Sequence, residues 1–503
     1  FKNTPKDKLD TLTSAGAVAL ANNIPMMAVE MEEINLKITY QSDMKLVEKL
    51  FQSYFKYEEL NMENILLNMV EKRKIGINCG VPSFCSANKI VIEAIMEQAK
   101  RFDDMVLIEA TANQVNQYGG YMDMKSEDFK NYVYKIADKI HFDKQKIVLG
   151  GDHLGPLTWC NEPEKDAMEK AKVLVRQCVL AGYTKIHLDT SMKLGDDPKD
   201  EPLAVEKIAQ RGAILYKECE EAFQELIQKD KDAVHPVFVI GSEVPIPGGT
   251  QEDEGLKVTT PEDFENTILT YKKVFKEYGL EEAWKYIIGI VVQPGVEFGN
   301  NELHIYNRFD AVKLCDTLKK YPDIVFEGHS TDYQPPMKLK EMVEDGIAIL
   351  KVGPALTFAV REAIYALSFM EKELITDETK RANFIETLEK VMLEDDHNWV
   401  KHYHGTELEK KLAREYSFSD RSRYYFSLPE IVQTQEKLIN NFKDIEIPMG
   451  MLHQYMPIQY VKVRDGKLKN DAYELVKDAV VSIVEDYNYA VKHNYMISGV
   501  FIK

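Results

Sequence analysis

The chain has 503 residues, 45% of them hydrophobic, and sets 82 acidic residues against 63 basic ones, a formal charge of −19. That excess of acid disfavours nucleic acid and anionic membrane as partners, and no run of about 18 apolar residues is present to cross a bilayer. At about 150 residues per domain, the length allows two or three domains, or one barrel with additions.

Residues 1–61 stand apart from the rest of the chain. The stretch "NIPMMAVEMEEINLKITYQSDMKLVEKLF" resembles the C-terminal tail of cytidylyltransferases of the isoprenoid pathway. The Gly-rich nucleotide-binding start of that family is absent. An appended remnant is therefore expected, not a working nucleotidyltransferase.

From Lys74 to Gly353 one pattern recurs eight times: a short apolar, β-branched run, a polar residue, a Gly/Pro/Ser turn, then a helical stretch. The first four runs are "KIGIN" ending at Asn78, "MVLIEAT" with Glu109, "KIVLGGDH" with Asp152 and His153, and "KIHLDTS" with Asp189. Four more complete the set: "VFVIGSEV" with Glu243, "IIGIVVQP" with Gln293, "DIVFEGHS" with Glu327 and His329, and "AILKVGP" with Lys351. Continuous apolar runs mark strands buried on both faces, and eight strand–helix units predict an α/β fold, the (β/α)8 TIM barrel, over residues 62–376. Residues 377–503 read as a helical, aromatic-rich C-terminal extension that covers the barrel mouth or forms an oligomer contact.

In such a barrel the strand ends converge on one rim, where active sites lie. The rim set is rich in acids and imidazoles. Converging like charges are costly unless a cation neutralises them, and a divalent metal of the zinc, manganese or cobalt class would do so. Asp152 and His153 are adjacent, so regular strand geometry points them to opposite faces; the two preceding glycines could bend the strand end and bring both inward. Asn113 and Gln117 in "NQVNQYGG" carry amides suited to sugar hydroxyls, or serve as turn residues. Arg421 and Arg423 in "SDRSRYY" could clamp a phosphate, or form salt bridges between domains or subunits. Six cysteines form no CxxC and no zinc-finger quartet. They read as reduced thiols, and with no secretory signal in view the expected compartment is the cytoplasm.

The stretches "GVPSFCSAN", "VLIEATANQVNQYGGY", "LGGDHLGP", "KIHLDTSM", "GSEVPIPGG", "VVQPGVEF", "EGHSTDYQ", "ILKVGPALTFAVREAI" and "SDRSRYYF" resemble the tagatose-1,6-bisphosphate aldolase Z-subunit family, from about Met62 to Pro457. The resemblance implies a class II aldolase-like fold, a role in ketohexose phosphate metabolism, self-association, and partnership with a catalytic aldolase subunit. Set against class II aldolases, Asp152 and His153 fall where those enzymes carry a general acid and a metal ligand. Glu243 matches a strand-end acid before Gly-Gly. His329 is displaced by two positions from a metal histidine, and Glu297 stands in the segment that carries another. The implied roles are catalysis for Asp152, Glu243 and Lys351 and metal binding for His153, His329 and Glu297. Sugar phosphate binding falls to Asn78, Glu109, Asn113, Gln117, Asp189, Gln293, Arg421 and Arg423. The alternative is a stand-alone, metal-dependent 4-epimerase that interconverts tagatose- and fructose-type ketoses by retro-aldol cleavage and re-addition. A kinase is not expected, since no GxxxxGK[ST] loop is present.

Overall fold

The computed structural model describes residues 64–242 and 256–491. The cytidylyltransferase-like stretch and Glu243 lie outside them. Helix α1 (Ile65–Lys74) precedes eight parallel strands that close into a barrel: β1 (Val81–Cys85), β2 (Val106–Thr111), β3 (Ile147–Leu154), β4 (Lys185–Leu188), β5 (Val237–Ile240), β6 (Ile287–Val292), β7 (Val325–Gly328) and β8 (Ile347–Val352). Between them run α2 (Lys89–Arg101), α3 (Ser126–Ile140), α4 (Glu164–Leu180), α5 (Val205–Lys229), α6 (Pro261–Glu277), α7 (Arg308–Leu318) and α8 (Pro336–Glu344). This is the (β/α)8 architecture expected. Buried residues occupy nearly every strand position, because one strand face meets the barrel interior and the other meets the helices.

One strand is displaced from expectation. The first strand is "VPSFC", not "KIGIN". Lys74 ends α1, and the residues between it and β1 are irregular. α1 explains the apolar content there: Leu66, Met69 and Val70 pack with Val81, Leu107, Val148, Val237 and Ile349 beneath the barrel.

After β8 comes α9 (Pro354–Leu374), then α10 (Phe384–Glu394), α11 (Glu407–Tyr416), α12 (Pro429–Asn441), α13 (Met449–Tyr455), α14 (Pro457–Arg464) and α15 (Ala472–Val491). The last of these lies against α2, α8, α9 and β1. It therefore takes the place in the outer ring between the seventh and first barrel helices. Tyr487 fixes it there, donating to the Thr331 carbonyl at 2.8 Å. Covered by α15 on one side and by α10, α12 and α13 on others, α9 is buried almost all round, from Ala355 to Glu371.

Candidate functional site

At the C-terminal rim, β3 brings Asp152 and His153 into the same space. The pairing of β3 with β4 shifts register between Gly151 and Leu154, and His153 adopts φ +48°, a left-handed conformation that costs about 1 kcal/mol or more. Glycine is required on both sides of the pair. A side chain at Gly150 would strike Glu109 Oε1 at 2.5 Å, and one at Gly155 would strike the Asp189 carbonyl oxygen at 1.7 Å. The bulge re-aims two adjacent side chains into one site.

Asp152, His153, His187 and His329 each offer a ligand atom, all within 4.8 Å of one another. The three imidazole centroids stand 4.9–5.1 Å apart. Each ring is backed by a carboxylate: His153 Nδ1 by Asp189 at 2.9 Å, His187 Nδ1 by Asp152 at 3.0 Å, and His329 Nε2 by Glu327 at 2.9 Å. The bonds of His153 and His329 fix their tautomers and leave the second nitrogen of each for a metal; His187 Nδ1 also accepts from His153 N at 3.2 Å, so both contacts hold that ring through Nδ1. His187 Nε2 has no hydrogen-bond partner although it is buried, which fits it as a metal ligand.

Two lysines sit in the same cluster. Lys185, fully buried, bridges Glu109 at 2.8 Å and Glu327 at 2.7 Å. Lys351 pairs with Glu109 and lies 3.0 Å from Asp152. Four carboxylates (Glu109, Asp152, Asp189 and Glu327) thus face two ammonium groups. Two negative charges remain beyond the two ammonium groups, facing three imidazoles, so a divalent ion would balance the cluster. The same excess of negative charge acts on the titrating groups. Burial would lower the His153 imidazole, but Asp152 and Asp189 outweigh it and raise it. The Asp152 and Asp189 carboxyls fall below the usual range against their burial, drawn down by the histidines. Burial pulls the Lys351 ammonium down to about 8.

Asp152, His153, His329, Asp189, Glu109 and Lys351 come together. Glu327, which the seventh run carries beside His329, joins them, and so do His187 and Lys185, which were not expected from the sequence. The signal was present in "KIHLD": with a period of two, Lys185, His187 and Asp189 share a strand face. Glu297 is buried nearby in a two-residue strand paired with Leu303–His304. It accepts from Phe298 N at 3.0 Å and lies outside the ligand cluster. Burial pushes its carboxyl up to about 7, so the implied ligand role does not match its position.

A cavity of about 550 Å³ opens above the cluster, walled by Asp152, His153, His329 and Lys351 and also by Asn113, Gln114, Arg423 and Tyr473. The C-terminal helical segment therefore supplies part of the mouth. Arg423 donates to the Asp420 carbonyl at 3.0 Å and to Tyr424 Oη at 2.9 Å; it makes no ion pair among the described residues. The other expected contacts are tied down elsewhere. Arg421 donates to the Asn398 carbonyl at 3.0 Å and Gln117 to the Lys170 carbonyl at 3.0 Å. Gln293 accepts from Gly295 N and Val296 N, closing the turn after β6. Asn78 is exposed and precedes β1, at the barrel end opposite the cluster, because the strand it was expected to end is not there.

Known proteins resemble this chain over most of its length. Residues 66–492 match the model of the family described as D-tagatose-1,6-bisphosphate aldolase subunit GatZ/KbaZ-like. The chain is 43% identical over 422 residues to the D-tagatose-1,6-bisphosphate aldolase subunit GatZ of Salmonella paratyphi B, covering 84% of this chain and 98% of that protein. The same identity and coverage hold for the GatZ subunit of Salmonella typhimurium. Among solved structures, a probable tagatose 6 phosphate kinase from Sinorhizobium meliloti is similar with a TM-score of 0.75 and 42% identity, over 82% of this chain and 100% of that one.

Proposed function

The chain belongs to the D-tagatose-1,6-bisphosphate aldolase subunit GatZ/KbaZ-like family, and from that premise we propose that it works as the companion of a catalytic class II aldolase subunit while its own barrel binds a divalent ion and a ketose phosphate. The observation that carries the second half is the cluster of three carboxylate-backed imidazoles at the floor of a polar cavity. A chain acting only as a scaffold has no need of a buried ligand set with a charge deficit of two.

In this reading His153, His187 and His329 would hold the ion, which when bound would supply Lewis-acid polarisation of a ketose carbonyl. Asp189 and Glu327 keep His153 and His329 in the ligating tautomer. Asp152 has two tasks. One oxygen holds His187, and the other, 3.0 Å from Lys351, takes or returns a hydroxyl proton of the sugar. Lys351 holds that carboxylate in place and limits its basicity. Asn113 and Gln114 meet sugar hydroxyls, and Arg423 meets the phosphate. Asn78, Gln117 and Gln293 have no part in it.

The test is co-expression with a class II aldolase catalytic subunit, assayed for cleavage of tagatose 1,6-bisphosphate, beside the chain alone assayed with fructose 6-phosphate, each with and without EDTA. The companion role predicts cleavage that rises and persists longer when the chain is present. Failure to co-purify with the catalytic subunit or to change its activity removes that role. EDTA-sensitive conversion of fructose 6-phosphate to its C4 epimer by the chain alone selects the epimerase instead.

A further inference from the structure

Two helix N-termini open on the cavity: the start of α2, at Asn88–Ile90, and the start of α9, at Gly353–Thr357. Unpaired N–H groups at such ends attract anions, and barrels of this fold commonly seat a substrate phosphate near the loops after their seventh and eighth strands. Here both ends are already taken. Asn88 caps its own helix, accepting from Ile90 N at 2.9 Å and Val91 N at 3.3 Å. At α9 the acceptor comes from outside the helix. Asp332, in the loop after β7 and only 2% exposed, accepts from Gly353 N at 3.0 Å and Ala355 N at 2.8 Å through one carboxylate oxygen. A carboxylate in that position uses the N–H groups a phosphate would need and repels its charge.

The cations on the cavity wall leave little choice of another seat. Among the described residues they are Lys89, Lys351 and Arg423. Lys351 is committed to Glu109 and Asp152. Lys89 is exposed and has a long, flexible side chain, whereas Arg423 is held by the Ser419 and Asp420 carbonyls and Tyr424.

We infer that Asp332 is a specificity-determining residue. It fills the seat where a barrel of this type holds a phosphate, so that the cavity takes a ketose with one anionic end, against Arg423, and rejects a bisphosphate. The inference rests on the ketose reading above and sharpens it. This barrel handles a monophosphate, and cleavage of the bisphosphate belongs to the companion subunit.

The experiment uses the full chain loaded with zinc. Calorimetry measures fructose 6-phosphate and fructose 1,6-bisphosphate on the wild type, Asp332→Ala and Asp332→Asn, and phosphorus NMR counts inorganic phosphate bound per chain. The wild type is expected to prefer the monophosphate by about tenfold or more and to take one inorganic phosphate. Asp332→Ala, which bares both N–H groups, is expected to lose that preference and take a second phosphate. Asp332→Asn keeps an acceptor but removes the repulsion; it shows the same change more weakly and carries the test if the alanine variant does not fold. Equal affinity of the wild type for the two sugars overturns the inference, as does a second phosphate that appears in neither variant. If neither sugar binds any of the proteins, the ketose reading fails, and the phosphate count still decides the role of Asp332.

Discussion

His187 Nδ1 stands 3.0 Å from a carboxylate oxygen of Asp152 and accepts from His153 N at 3.2 Å, while Nε2 is the nitrogen without a partner inside the imidazole cluster. Two adjacent residues of β3 thus occupy one nitrogen of a β4 histidine and leave the other free. The same carboxylate faces Lys351 on its other side, so a single group couples the proposed metal ligands to the charges below them.

Removal of His187 tests the cluster directly. His187→Ala is expected to weaken zinc or cobalt binding by about 100-fold or more, and Asp189→Asn, which only unbacks His153, by about 10–100-fold. Cobalt absorption and dialysis with metal analysis read both. Unchanged affinity in His187→Ala would show that the ion, if bound, lies elsewhere.

The buried ammonium of Lys185 neutralises Glu109 and Glu327 at 2.8 and 2.7 Å. Lys185→Met leaves two carboxylates short of a partner in a place water does not reach. Breaking a buried ion pair from one side costs about 3–5 kcal/mol, so urea unfolding of the variant should shift by that amount. A change below about 1 kcal/mol would mean that the carboxylates find other partners or protons.

Glu297 links stability to pH. Its folded carboxyl is raised from 4.5 to about 7 by burial. The folded state therefore binds the proton more tightly than the unfolded one. The contribution to stability is full below the unfolded value and is lost as pH rises through about 7. Glu297→Gln should remove this dependence and, at pH 8, gain on the order of 2–3 kcal/mol against the wild type. Denaturant midpoints between pH 4 and pH 8 check the slope; parallel curves for the two proteins would contradict the assignment.

The last described helix is expected to be indispensable. α15 buries Leu475, Val476, Val480, Val484 and Tyr487, each worth about 1.5–3 kcal/mol, which together exceed much of the stability of a typical domain. A chain ended at Asn470 should show no cooperative thermal transition. Tyr487→Phe, which loses only the bonds to Thr331, should cost about 1–2 kcal/mol. A truncated chain that melts cooperatively would show that α9 can close the ring alone.

Asp152, His153 and His329 were legible as candidates because each ends an apolar run, and the fold class came from counting such runs. His187 and Lys185 were hidden by their place within a short strand, where a lysine looks like a solvent-facing residue. Glu327 was legible beside His329 in the same run, though its place behind that imidazole was not. Asn78 was misplaced because a helix end packed beneath the barrel carries the same alternation as a strand, while the true strand contains Pro82 and Ser83.

By itself the order of residues determined the repeating strand–helix unit, the acid-rich strand ends and the family. These depend on local periodicity and on motifs contiguous in the chain. Which charges meet was decided by closure of the barrel, since Lys185 reaches Glu109 and Glu327 only when β4, β2 and β7 share one interior. Tertiary structure also decided that α15 fills the ring beside β1, and that Asp332 caps a helix beginning 22 residues later. Pairings of this kind are set by packing across distant segments, and no local spacing records them.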